Sequence, residues 1–138
     1  MPTNKSLLTG LAVSGLLLLA GSRVAAAQDP AVVNAKTVHV KLENDRVRVL
    51  EAILQPGEKE QLHSHPAYVT YVIAGGTVRN HLADGKAAEA VLKTGDVLYR
   101  DPVIHWAENI GTTQLQLILV ELKTPSPGDE RGGQEVKD

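Results

Sequence analysis

The sequence predicts an all-β domain, a sandwich or barrel of eight or nine short strands. Three observations predict it. Short runs rich in Val, Ile, Leu and Tyr recur at close, regular spacing and are cut by Gly, Pro, Asn and Asp. No segment after residue 27 carries a convincing helical period. The 138 residues suffice for one domain with a real core and not for two.

The elements follow in order. Residues 1–27 read as a secretory signal: Lys5 supplies the positive start, Leu7 to Ala20 the apolar stretch, and Ala25-Ala26-Ala27 the cleavage site. The apolar run is shorter than the ~20 residues of a membrane span, which argues against an uncleaved anchor. Neither a Cys for lipid attachment nor a twin-Arg pair accompanies it. Residues 28–36 are expected as a flexible lead-in segment and residues 37–123 as the folded domain. Thr37 to Leu42 and Arg46 to Leu54 read as strands, separated by Asn44-Asp45 and closed by Gln55-Pro56-Gly57. Tyr68 to Ala74 (YVTYVIA) is the strongest strand signal, being β-branched and aromatic. Thr77 to Leu82 and Glu89 to Lys93 form a hairpin about Asp84-Gly85. Val97 to Arg100, His105 to Asn109 and Leu115 to Leu122 complete the set. Leu115 to Leu122 (LQLILVEL) is apolar on nearly both faces, so burial on both sides is expected, inside the barrel or against a second subunit. Residues 124–138, rich in Pro, Gly and charge with Val136 as the only aliphatic residue, read as a disordered tail.

Composition excludes several functions. There is no Cys, so disulfides, iron–sulfur clusters, thiolate zinc sites and a cysteine nucleophile are excluded. Lys5 and Arg23 are the only charged residues of the leader. Its removal leaves 12 basic and 16 acidic residues, hence a net charge of −4. The basic residues are scattered, so neither nucleic acid nor, after signal cleavage, a membrane surface is an expected partner. No Gly-rich loop connects a strand to a helix for phosphate binding.

Five histidines occur: His39, His63, His65, His81 and His105. His63 and His65 are two apart, so in extended chain their imidazoles point to one face. A metal needs ligand nitrogens at roughly 2.0–2.1 Å, which such a pair can provide once a third ligand closes the set. His105, on a later strand, is the candidate third. A surface pair near a Pro-containing turn remains the alternative on spacing alone. His39 matches no ligand position and His81 is expected to be exposed. Trp106 follows His105 and so faces away from it, and Ser64 points away from its two neighbours, which defeats a Ser–His nucleophile. Tyr68, Tyr71 and Tyr99 default to packing. By alternation Val69, Tyr71 and Ile73 would share the inward face with His65 if no bulge intervenes. Parity leaves open whether Glu51 and Gln116 point inward. A surface charge is the default for Glu51.

Gly57, His63-Ser64-His65 and Gly76 stand at the spacing G-x5-H-x-H with a glycine eleven residues after the second His, and Gly95, His105 and Asn109 follow as G-x9-H-x3-N. Over roughly residues 38–122 the chain resembles the cupins, small single-domain dioxygenase-like members in particular. The resemblance implies a double-stranded β-helix, or jelly-roll, barrel in which His63, His65 and His105 ligate a divalent metal, with Fe, Mn, Ni, Cu and Zn not distinguished. Two positions depart from the family pattern. Its glutamate ligand falls at Val69, and Asp101 and Val103 replace its second-motif Pro and Gly. A three-His site would leave two or three positions open and would favour an anionic ligand.

Three functions are expected of such a chain, in the periplasm or outside the cell. One is a metal-dependent oxygenase acting on a small molecule. Another is a non-catalytic binding module for a small anionic or sugar ligand. The third is a structural cupin that has lost its metal. Which residues would be catalytic is not legible. The family often dimerises through sheet packing, and Leu115 to Leu122 suits a homodimer.

Overall fold

A computed structural model describes residues 28–124. The expected leader, and all of the expected tail but residue 124, lie outside them. One helical turn, α1 (Pro30–Val33), precedes nine strands: β1 (Val38–Glu43), β2 (Val47–Leu54), β3 (His63–His65), β4 (Tyr68–Ala74), β5 (Gly76–Leu82), β6 (Ala87–Leu92), β7 (Val97–Arg100), β8 (Val103–Asn109) and β9 (Leu115–Leu122). They form a five-stranded sheet in the order β1-β2-β9-β4-β7 and a four-stranded sheet in the order β3-β8-β5-β6. This is the expected all-β jelly roll.

Alternation builds the core. Leu50, Ala52 and Leu54 of β2, Val72 of β4, Val78 of β5, Leu92 of β6, Ala107 of β8 and Leu115 and Leu119 of β9 are buried together. β9 pairs with β2 along its whole length and with β4 on its other edge. It is therefore central, and its inner face fills the core while Ile118 and Val120 lie half-buried on the outer one. The turn before the His strand depends on Gly57, whose φ of +81° is left-handed. Of the two adjacent glycines after β4, Gly75 has the steric constraint: a Cβ there would strike the Leu92 carbonyl, whereas Gly76 meets ordinary contacts. Val103 does not have positive φ, so the missing second-motif glycine costs nothing.

Three expectations are corrected. Residues 28–36 contain a helical turn: the Asp29 side chain caps it by accepting from Ala31 N, and Pro30 sits at its start. The turn is too short to show helical periodicity. Secondly, the inward face of β4 is Tyr68, Thr70 and Val72, whereas Tyr71 and Ile73 are exposed and Val69 is half-buried. Pro66-Ala67 interrupts the chain after His65, and β3 and β4 belong to different sheets, so side-chain parity does not carry across. Thirdly, His81 is half-buried, its ring stacked on Trp106 at a centroid distance of 3.6 Å and 3° between planes. The two residues are cross-strand neighbours of β5 and β8. Among the described residues no helix is long and apolar enough to cross a membrane.

Candidate metal centre

β3 and β8 are antiparallel neighbours with His63 directly opposite His105. His65 lies two residues along β3, on the same face as His63. All three side chains are buried. One ligand nitrogen from each can be chosen so that all lie within 4.8 Å of one another. Among the described residues this is the grouping of three or more His and acidic residues that could hold a metal ion.

Each ring is held from behind through Nδ1. His63 Nδ1 is 2.7 Å from the Gln61 carbonyl oxygen, which accepts its proton. Asn34 Nδ2 lies 3.1 Å from the same ring nitrogen, and Asn34 Oδ1 accepts from Gln61 N at 2.6 Å. His65 Nδ1 donates to Glu121 Oε1 at 2.6 Å. His105 Nδ1 reaches Asn80 Oδ1 at 3.3 Å. A neutral imidazole with Nδ1 protonated has a bare lone pair on Nε2. His63 Nε2 and His65 Nε2 lie 2.9 Å apart, and His105 Nε2 is buried with no hydrogen-bond partner. Each imidazole can thus offer one ring nitrogen to a common space while its Nδ1 side meets an outer partner, an arrangement suited to a divalent cation.

Burial decides the charges. It lowers the pKa of His63 to about 4 and that of His105 to about 3, so both are neutral at pH 7. The charge comes from carboxylates that the motif does not contain. Glu121 is buried on the inward phase of β9, and Arg48 Nη1 lies 3.8 Å from it. Arg48 is itself anchored by Asp29 at 2.9 Å. Glu60 is buried beside the centre: its Oε2 accepts from Ala107 N at 3.1 Å and lies 3.9 Å from His63 Nε2. Burial raises its pKa to about 7.

The other sequence candidates lie elsewhere. Val69 is on the outward phase of β4, so the departure at this position takes nothing from the interior. Glu51 bonds Lys41 and Gln116 on the outer face of the five-stranded sheet, as a surface charge would. His39 is exposed. Asn109 is a staple, with Nδ2 donating to the Leu54 and Thr113 carbonyls and Oδ1 accepting from Gly111 N. Sequence reasoning missed Glu60, Glu121, Asn34 and Asn80. One signal was available: Glu121 continues the inward alternation Leu115, Leu117, Leu119, and an acid on an apolar face needs a partner.

A cavity of about 70 Å3 opens from the centre into the apolar interior, touching His65, His105 and Glu60. A wider depression of about 410 Å3 lies outside it. Tyr68, Asn80, Arg100 and His105 line both.

Comparison with known proteins points one way. The cupin domain family matches residues 50–121. The chain is similar to a cupin domain from Bordetella pertussis Tohama I, at 26% identity and TM-score 0.58, covering 63% of this chain and 92% of that one. A cupin family protein with a double-stranded β-helix fold from Methanocaldococcus jannaschii aligns at 19% identity and TM-score 0.51, covering 62% and 78%. No curated protein matches.

Proposed function

The chain belongs to the cupin domain family, and from that premise we propose that it binds one divalent metal through Nε2 of His63, His65 and His105 and presents it to a small molecule. The observation that carries this reading is the buried convergence of the three imidazoles, each offering one ring nitrogen within 4.8 Å of the others, with every Nδ1 near an outer hydrogen-bonding partner. A metal in that position supplies Lewis-acid or redox chemistry at its open positions. The chain's own residues hold the imidazoles neutral and oriented, and the apolar walls exclude water. An oxygenase and a non-catalytic binding module both use this site. The leader-like residues 1–27 support export to the periplasm or beyond.

The test is metal analysis by mass spectrometry on untagged residues 28–138 beside a His63→Ala/His105→Ala variant. Near-stoichiometric metal in the parent and none in the variant is the expected result. No metal in either, after loading with Fe, Mn, Ni, Cu or Zn, would overturn the reading. Oxygen consumption by the loaded parent with a substrate would identify an oxygenase, and bound metal without turnover a binding module.

A second copy of the chain is the proposed partner. On the outward phase of β4, β7 and β9, Val69, Tyr71, Val97, Tyr99, Ile118 and Val120 form a face without a charged side chain. Val97 is 66% and Tyr99 61% exposed. An apolar sheet face of this kind is self-complementary about a two-fold axis. Sedimentation of the mature chain as a monomer at micromolar concentration would exclude the dimer.

A further inference from the structure

We infer that the molecule presented to this centre is a short-chain aliphatic carboxylate, its anionic end at Arg100 and its hydrocarbon end in the barrel; this rests on the proposed metal centre. The inference joins the chemistry of the cavity wall to the position of one cation.

The inner cavity is walled mostly by aliphatic side chains, Leu98, Leu117 and Leu119 among them, with Glu60, Thr70, Asn80 and Arg100 as polar exceptions beside the imidazoles. A sugar, with a hydroxyl on nearly every carbon, would leave most of them facing that aliphatic wall, whereas a hydrocarbon chain loses nothing there. At 10–15 Å3 for each water-sized occupant, about 70 Å3 holds roughly five to seven heavy atoms. Only a short chain fits below the neck, and anything larger must lie in the outer depression.

Arg100 stands at that neck. Its register partner on β4 is Tyr68, which also lines both spaces. Among the described residues no carboxylate lies within ion-pairing distance of Arg100. A guanidinium offers a forked set of donors that matches a carboxylate. The competing acids are otherwise placed. Glu89 is paired with Arg79 at 2.6 Å. Glu60 bonds Ala107, deeper along β8 than His105. Asp101, like Glu89, lines the outer depression and not the inner cavity.

The test is calorimetric titration of the mature protein, with metal content recorded, using acetate, propionate, butyrate and, as a neutral isostere, butyramide. Expected is binding that strengthens from acetate to butyrate and is about tenfold weaker for butyramide, as a charge-assisted pair requires. Arg100→Gln should erase the preference for butyrate over butyramide while metal content stays unchanged, and Arg100→Lys should keep part of it. Equal binding of butyrate and butyramide, or an Arg100→Gln variant that keeps the preference, would overturn the inference and leave the metal centre standing. A protein that takes up no metal and no butyrate would overturn both.

Discussion

Glu121 illustrates how single residues set this site. Its carboxylate receives the Nδ1 proton of His65 at 2.6 Å and faces the Arg48 guanidinium on its other side. A carboxylate behind an imidazole fixes the ring and raises the basicity of the opposite nitrogen. Glu121→Gln keeps the shape and an acceptor but removes the charge. Metal affinity should fall by about tenfold, the lower end of what outer partners contribute, with stoichiometry retained. Competition against a chelator of known affinity measures this, and an unchanged affinity would deny Glu121 the role. The steric residue is Gly75, whose missing Cβ lets β4 turn beneath the Leu92 backbone.

At the scale of elements, α1 and the residues around it tie a segment outside the family match to the strand that bears the ligands. The Gln28 carbonyl accepts from Ser64 N at 3.1 Å, between the two histidines of β3. Asn34 is buried and braces the Gln61 peptide, whose carbonyl orients His63. Asn34→Ala leaves the Gln61 N–H unpaired, at a cost of about 1–3 kcal/mol. We expect urea denaturation to show that loss and metal titration to show weaker binding. Full stability and affinity in the variant would mean that α1 is merely apposed to β3.

For the whole molecule, metal and protons should act on stability through the same buried groups. Ligand at a hundredfold its Kd stabilises the folded state by about 2.7 kcal/mol. Chelation should therefore lower the Tm by roughly 10 °C for a domain of this size, and a chelator-insensitive Tm would count against a structural contribution of the metal. In the metal-stripped protein the pH profile is set by opposing shifts. His63 and His105 titrate lower folded than unfolded, where a histidine titrates near 6.5. Their contribution is complete above about pH 6.5 and is lost as the pH falls towards about 4 and about 3. Glu60 is raised from 4.5 to about 7, so its contribution is present at low pH and is lost as the pH rises from 4.5 through about 7. Two imidazoles outweigh one carboxylate between pH 4.5 and 6.5, and only Glu60 acts just above that. Maximal stability near pH 6.5 is expected from denaturant melts, and a maximum below pH 5 would contradict these shifts.

By itself the sequence determined the strands and the choice of histidines. Period-two alternation and turn residues are local signals, and β4, β7 and β9 have the bounds expected from them. His63, Ser64 and His65 alternate within one strand, so their common face was readable, and the spacing to His105 matched a known pattern. Parity within one strand could not give more. It lost its meaning at Pro66-Ala67, where the chain passes between sheets, so Val69 was placed inward when Thr70 is. Only the tertiary structure brought Glu121 to His65 from 56 residues away and Asn34 to His63 from 29, because such contacts depend on strand order and register. It also moved the acidic groups of the centre from Val69's position to Glu60 and Glu121, since closing the barrel decides which carboxylates lose their water.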